Sequence, residues 1–251
     1  MQGKRGMLKS YYQDDLVTLY CGDCRKVLKE LNIKVDLTLT DPPYNCGVDY
    51  SKNGKKENDN LDPKVYWKWF RAWLKYTRSI SRTVIFTHRM EAMKQLSGFD
   101  WVGVWDKECP NGTRIGYSPV IPQWEPIFMY GIYHYPPRTT NARVDIFQAR
   151  PVRTVQKHLV QRKKRIISRA QRWNSSLDGH PCPKPIKLFN DLVGIFGQNC
   201  KIICDPFAGS GTTGVACKQL GIKCVLIEQE ERNCEIAVNR LRQEILPLKF
   251  N

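Results

Sequence analysis

Acidic residues are scarce in this chain. Against 40 lysines and arginines stand 24 aspartates and glutamates, which leaves a formal net charge of +16 and a pI near 9.5. Such an imbalance points to a polyanionic partner, most simply nucleic acid. Long apolar runs are also missing. None approaches the length of a transmembrane helix, and the N-terminus, MQGKRGMLKS, has no apolar core of a secretory signal. The expectation is a cytoplasmic protein with no membrane partner. Ten cysteines are scattered through the chain, and they read as reduced thiols. Cys21 and Cys24 form one C-x-x-C, but no second pair stands at matching spacing, so no zinc site and no other metal is expected. No G-K-[ST] follows a glycine-rich turn, which excludes a P-loop.

What is present begins with Asp41-Pro42-Pro43-Tyr44. It follows Val35–Thr40, an apolar run rich in β-branched residues and too short for a helix, which reads as a buried strand. The two prolines each fix their own φ and offer no ladder hydrogen bond, so the chain leaves the sheet in a stiff shape. A carboxylate, a prolyl carbonyl and an aromatic ring are thereby presented at the carboxyl end of a strand, where open α/β sheets bind ligands. Asp41 and the Pro42 carbonyl are acceptors with nothing evident nearby to donate to them, and Tyr44 offers a flat face. A planar ring carrying an exocyclic NH2 would satisfy all three. Taken alone, the same four residues also fit a proline-stiffened turn with a helix-capping Asp.

The 251 residues allow one large α/β domain, or one domain with an inserted module. Before the motif, residues 15–20 read as a strand and Arg25–Leu31 as a helix. Asn45–Asp62 is polar and reads as a mobile loop, either a lid beside the site or a plain surface loop. Pro63–Ser81 is a helix with Pro63 in its first turn, and its aromatics read as core. Strands are expected at Thr83–His88, Trp101–Trp105 and Trp124–Tyr130, with a weaker helix at Met90–Leu96. Pro126 implies that the third of these strands starts late or lies at an edge.

Composition shifts at Arg138. From there to Trp173 eleven basic residues face one acid, Asp145, which places +10 of the chain's +16 in one block. Such a block repels itself unless phosphates neutralise it. Arg153, Lys157, Arg162, Lys163, Lys164, Arg165 and Arg169 are the candidate DNA contacts, on an insert with little apolar periodicity. The expected division is 1–137 and 179–251 as two halves of one domain, with 138–178 inserted between them.

The last segment is a complete βαβ unit. A helix carrying Ile186, Leu188, Phe189, Leu192, Val193 and Phe196 leads to the strand Lys201–Cys204. The turn Asp205-Pro206-Phe207-Ala208-Gly209-Ser210-Gly211-Thr212-Thr213 opens a helix that Gly221 ends. The strand Lys223–Glu228 closes on an acid, and an amphipathic helix spans Glu231–Leu246. This is a nucleoside-binding layout, in which glycines admit the ligand and the acid takes ribose hydroxyls. An acid at the mouth of the turn would repel a pyrophosphate and welcome an ammonium group. That points to S-adenosylmethionine.

Together the two halves resemble the permuted (β-class) amino-directed DNA methyltransferases. Asp41–Tyr44 is similar to their catalytic motif, and Asp205–Thr213 to their cofactor motif. His180-Pro181 and Lys184-Pro185 resemble an H-P-x-x-K-P element beside the cofactor. Trp124-Glu125-Pro126-Ile127 resembles a later strand motif. Gly22-Asp23 resembles an element near the cofactor's adenine. The basic insert takes the place of the target-recognition region. The resemblance implies a Rossmann-like, mostly parallel seven-stranded sheet with one antiparallel strand and S-adenosylmethionine as cofactor. It also implies methyl transfer to the N6 amino group of a flipped-out adenine in duplex DNA. Cytosine N4, an RNA substrate and an inactive DNA-binding relative remain open. A protein-glutamine methyltransferase fits less well, because that family usually carries Asn where Asp41 stands. A homodimer and a cognate restriction endonuclease are partners the resemblance allows.

Overall fold

A computed structural model describes residues 8–47, 59–107, 124–131, 146–148 and 184–243. The strands in chain order are β1 (Tyr12–Gln13), β2 (Val17–Cys21), β3 (Val35–Thr40), β4 (Ser81–Thr87), β5 (Trp101–Asp106), β6 (Trp124–Gly131), β7 (Ile146–Gln148), β8 (Ile202–Asp205) and β9 (Lys223–Glu228). The helices are α1 (Cys24–Leu31), α2 (Pro63–Ile80), α3 (Ala92–Gln95), α4 (Ile186–Phe196), α5 (Thr212–Gln219) and α6 (Glu231–Arg242).

All strands join one sheet in the order β1-β2-β9-β8-β3-β4-β6-β5-β7. From β2 to β4 every neighbouring pair is parallel, and β6 runs antiparallel between β4 and β5. Those seven strands match the expected Rossmann-like sheet. Two short edge strands extend it, β1 antiparallel to β2 and β7 parallel to β5. Three residues of the expected insert thus lie in the sheet as β7.

Alternation along the strands supplies two cores. Leu37, Leu39, Ile85, Ile203 and Leu226 pack with Leu188, Phe189, Ala216 and Ala237 of α4, α5 and α6. Val84, Phe86, Phe128 and Ile227 pack with Val27 and Leu28 of α1 and with the α2 aromatics. The result is a three-layer α/β/α architecture. α2 forms because Asp62 caps its first turn, accepting from the N–H groups of Lys64 at 2.9 Å and Val65 at 3.3 Å, while Pro63 needs no donor there. Tyr66, Trp67, Phe70, Trp73, Leu74, Thr77 and Ile80 then repeat along one buried face.

Pro126 corrects an expectation. β6 starts at Trp124, ahead of the proline, and lies inside the sheet. A strand residue's N–H and C=O point to the same side. The Pro126 carbonyl accepts from His88 N–H at 3.1 Å, on the β4 side, one residue past the end of β4. His88 and Pro126 thus face each other as a hydrogen-bonded pair, and the proline forgoes only the reciprocal bond to the His88 carbonyl, at the last rung beyond the end of β4. The expected helix at Met90–Leu96 shrinks to the single turn α3.

The chain leaves β8 through α5 towards β9 on one side, and leaves β3 through α2 towards β4 on the other. The sheet order therefore reverses between β3 and β8. That is the topological switch point, where a crevice opens at the strands' carboxyl ends. Asp41 and Asp205 stand there.

Candidate active site

Asp41 follows the last residue of β3. Its Oδ1 accepts the Tyr44 hydroxyl at 2.7 Å and the Thr87 hydroxyl, and its Oδ2 pairs with Lys184 Nζ at 2.7 Å. The expectation that no donor stands near Asp41 is therefore corrected. Two of its donors come from elsewhere in the chain, Thr87 from the end of β4 and Lys184 from just before α4. The parallel register of β3 and β4 pairs Thr40 with Phe86, so the residue after each strand must meet its counterpart.

Tyr44 is buried, and its hydroxyl also lies 3.0 Å from Glu125 Oε2. The other Glu125 oxygen takes Lys107 Nζ at 2.5 Å. Burial, then the charges of Asp41 and Glu125, raise the Tyr44 pKa well above its ordinary value. It stays a hydroxyl donor shared between two carboxylates. One face of its ring stacks on His88 at 4.8 Å and 24°. Lys184 Nζ lies 4.7 Å from the ring centroid and 5.6 Å from that of Trp105. The flat face expected of Tyr44 is thus in contact with an ammonium group.

The glycine-rich turn sits on the neighbouring strand. Asp205 is buried and accepts from Thr40 Oγ1 at 2.5 Å, from Thr213 Oγ1 and from Phe207 N–H at 3.0 Å. Burial pushes its pKa up to about 6, against the pull of these hydrogen bonds. It thus ties the turn to β3. Pro206 and Ala208 are buried beside it. Phe207 packs on Trp73 at 5.2 Å and on Trp69 at 6.0 Å. Gly211 has φ +78°, and a Cβ there would come within 2.9 Å of Ala237 Cβ. Only glycine fits both constraints. Arg240 Nη1 holds the Ser210 carbonyl at 2.6 Å, its hydroxyl at 2.8 Å and the Thr212 hydroxyl at 3.1 Å.

Glu228 ends β9. One oxygen accepts from Gly209 N–H at 2.7 Å, and the other from Glu230 N–H at 2.9 Å and from Asn233 Nδ2 at 3.4 Å. Burial raises its pKa despite these donors. Asp23 caps α1 through Arg25 N–H at 2.9 Å and pairs with the Arg25 guanidinium at 2.5 Å, which lowers its pKa.

One cavity of about 800 Å³ joins these groups. Its walls include Asp41, Pro43 and Lys184, then Asp205, Phe207, Ala208, Gly209, Ser210 and Thr212, then Glu228 and Asp23. Asp41 and Pro43 are therefore brought together with most of the cofactor candidates, with Lys184 against Asp41, whereas Pro42, Tyr44, Pro206 and Gly211 do not line the cavity. Thr87 and Glu125 were missed as members of the site. The basic candidates from Arg153 to Arg169, and His180, lie outside the described residues, as does the centre of the loop expected at Asn45–Asp62. The two ends of that loop are stitched: Asn45 Nδ2 donates to the Leu61 carbonyl at 2.9 Å, and Leu61 N–H donates to Asn45 Oδ1 at 2.6 Å. Among the described residues no helix is long and apolar enough to cross a membrane, and no cluster of three His, Cys, Asp or Glu could hold a metal ion.

Fold and site define a Rossmann-like scaffold with an acidic centre at its switch point. The DNA methylase family model, which covers N6 and N4 enzymes, matches residues 35–239, and the chain belongs to that family. It is a DNA methyltransferase. The type II methyltransferase M.HpaI of Haemophilus parainfluenzae is 26% identical over 249 residues, spanning 90% of this chain and 74% of its own. M.ScaI of Streptomyces caespitosus is 25% identical over 284 residues, spanning 96% and 86%. Among solved structures, M1.HpyAVI in complex with SAM superposes with a TM-score of 0.59 at 18% identity, covering 90% of this chain and 100% of that one. The cytosine-N4-specific PvuII DNA methyltransferase gives 0.56 at 17%, covering 97% and 99%. At those identities the two structures attest the shared fold.

Proposed function

We propose that this protein transfers a methyl group from S-adenosylmethionine to the N6 amino group of adenine in duplex DNA, with the base flipped out of the helix. One observation carries the reading: the Asp41 carboxylate and the turn Asp205–Thr212 end neighbouring strands and open into the same cavity. The walls suit the cofactor. The volume is in the range of small-molecule sites. Glu228 presents a half-buried carboxylate to accept ribose hydroxyls, with Asp23 on the wall of the same cavity. Phe207, backed by Trp69 and Trp73, gives an apolar surface for a purine. Asp41 and Asp205 favour a cationic group at the other side of the turn.

S-adenosylmethionine supplies an electrophilic methyl group on a sulfonium. The chain's own residues must orient the nucleophile. An aniline-like amine is a poor nucleophile because its lone pair is delocalised into the ring. Hydrogen bonds from its two N–H groups to Asp41 and to the Pro42 carbonyl favour pyramidal nitrogen and aim the lone pair. As the nitrogen–methyl bond forms, the sulfur–methyl bond would break with its electron pair left on sulfur, and the positive charge that develops on nitrogen is stabilised by the Asp41 carboxylate until one amino proton is lost. Holding the reactants in line supplies much of the rest. The amine takes the place of Lys184 at Asp41 Oδ2, and the base ring takes its place over Tyr44. A base inside a duplex cannot reach this pocket, hence the flip.

Asp at the first motif position favours adenine, since Ser there is the commoner sign of cytosine. Asp41 precedes Asp205 along the chain, which supports the permuted class. The basic residues from Arg153 to Arg169 serve as DNA contacts in this reading, and the kinship with type II enzymes supports a restriction-modification setting. The test is methyl transfer from labelled S-adenosylmethionine to unmethylated duplex DNA, with products digested to nucleosides and identified by mass. N6-methyladenine is expected. N4-methylcytosine would overturn the choice of base and keep the mechanism, whereas unlabelled DNA would overturn the reaction.

A further inference from the structure

Beneath Asp41 and Tyr44 lies a set of buried polar groups to which the reaction gives no role. His88 immediately follows β4 and is fully buried. Its Nδ1 accepts the Arg89 backbone N–H at 2.8 Å. A neutral imidazole has one acceptor and one donor nitrogen, so this contact leaves the proton on Nε2. Nε2 lies 2.7 Å from Tyr66 Oη, and the Tyr66 hydroxyl lies 2.7 Å from the Pro43 carbonyl. Each donor then meets one acceptor in a single direction: His88 Nε2–H to Tyr66, and Tyr66 O–H to Pro43. Burial, aided by the Arg89 and Lys184 charges, pushes the His88 pKa down to about 3, which keeps the ring in this neutral form.

The neighbours of His88 grip the same turn. The Thr87 hydroxyl donates to Asp41. Arg89 Nη2 donates to the Tyr44 carbonyl at 2.9 Å. The rings of Pro42 and Pro43 already fix φ at both residues. What remains soft is ψ of Pro43, and the Tyr66 hydrogen bond to its carbonyl sets that angle. The peptide so held carries Tyr44, whose ring also rests on His88.

We propose that His88 and Tyr66 are positioning residues for methyl transfer. Their relay to the Pro43 carbonyl, with Thr87 and Arg89 on either side, locks the Asp41–Tyr44 turn in its acceptor geometry. The inference rests on the methyl-transfer reading for its kinetic consequence, though not for the structural one. A purely structural pair would lower stability without separating kcat from cofactor affinity.

Tyr66→Phe keeps the ring and removes both relay bonds. It is expected to lower kcat about tenfold, because a turn held less firmly places the acceptors less well for in-line transfer, with unchanged affinity for S-adenosylmethionine by calorimetry. His88→Gln retains a side-chain donor towards Tyr66 and is expected to keep more activity than His88→Leu. In the Tyr66→Phe/His88→Gln double variant kcat is expected to match Tyr66→Phe alone, because one relay can be broken only once. Wild-type kcat in Tyr66→Phe, parallel loss of kcat and cofactor affinity, or additive losses in the double variant would overturn the proposal. Amide hydrogen exchange in the free protein serves as a readout independent of substrate. Exchange across Tyr44–Cys46 is expected to quicken in Tyr66→Phe while β4 stays protected. Unchanged exchange at the turn would overturn the lock. Exchange that quickens as expected, beside a wild type that methylates no DNA, would overturn only the functional reading.

Discussion

Three donors converge on the Asp41 carboxylate, and three backbone or side-chain donors converge on Glu228. The two acids differ in what a ligand must displace. At Asp41 the Lys184 ammonium stands where the proposed reaction places the amine. At Glu228 the donors are mostly backbone N–H groups that stay in place while the carboxylate accepts more. Glu228→Gln loses the charge that draws hydroxyl donors and replaces one of the two accepting oxygens with an NH2 group. Cofactor affinity is expected to fall roughly 10- to 100-fold, the usual worth of a hydrogen bond to a charged group. Wild-type affinity by calorimetry would remove Glu228 from the cofactor site. His88 makes a second prediction. It titrates near 6.5 when unfolded and about 3 when folded. Between those values the unfolded chain binds more protons, so His88 makes stability rise with pH across that window and level off above it. Asp205, raised from 3.8 to about 6, contributes the opposite slope between its own two values. The check is therefore the difference between wild type and His88→Gln. The advantage in melting temperature should shrink from pH 7.5 to pH 4.5, and an unchanged advantage would contradict the buried neutral ring. At this scale the acids were legible in the sequence because Asp41, Asp205 and Glu228 sit in local motifs. Their partners were not, since Thr87 is 46 residues from Asp41 and Glu125 is 81 from Tyr44.

Elements with a full period of hydrophobic pattern were legible too. β3, β9, α2 and α4 each carry enough residues for their alternation or stripe to show. β1 and β7 have two and three residues, too few for any alternation to register. Pro126 misled because it forgoes a single bond, at the last rung beyond the end of β4, and sequence does not show where β4 stops. α2 is the element that most needs its packing, because its buried face supports both the sheet and the relay. Phe70 is fully buried and packs against Tyr66, Trp67, Trp73, Phe86 and His88. Phe70→Ala should destabilise the fold by about 3–5 kcal/mol in denaturant titration. A loss below about 1 kcal/mol would mean that the aromatic cluster does not hold α2 in place.

At the scale of the whole molecule, two segments far apart in sequence meet because β3 and β8 are adjacent parallel strands. The βαβ unit after Lys201 and the turn after Thr40 were each readable alone. Their meeting follows from sheet order, which the sequence indicated only through family resemblance. The charge block from Arg138 to Trp173 belongs to this scale as well. Replacing Arg162, Lys163, Lys164 and Arg165 with neutral residues should weaken DNA binding and flatten its dependence on salt, by about 0.9 in log–log slope for each phosphate no longer neutralised. An unchanged slope would take the block out of the DNA interface.

The central claim is that one cavity holds two separable functions, cofactor binding at the glycine-rich turn and activation of the amine at Asp41. Asp41→Ala tests it most directly, with S-adenosylmethionine affinity and methyl transfer to DNA measured on the same preparation. Abolished transfer with affinity retained is the result predicted. Equal loss of both, or transfer that survives, would contradict the assignment of Asp41 as the catalytic acid.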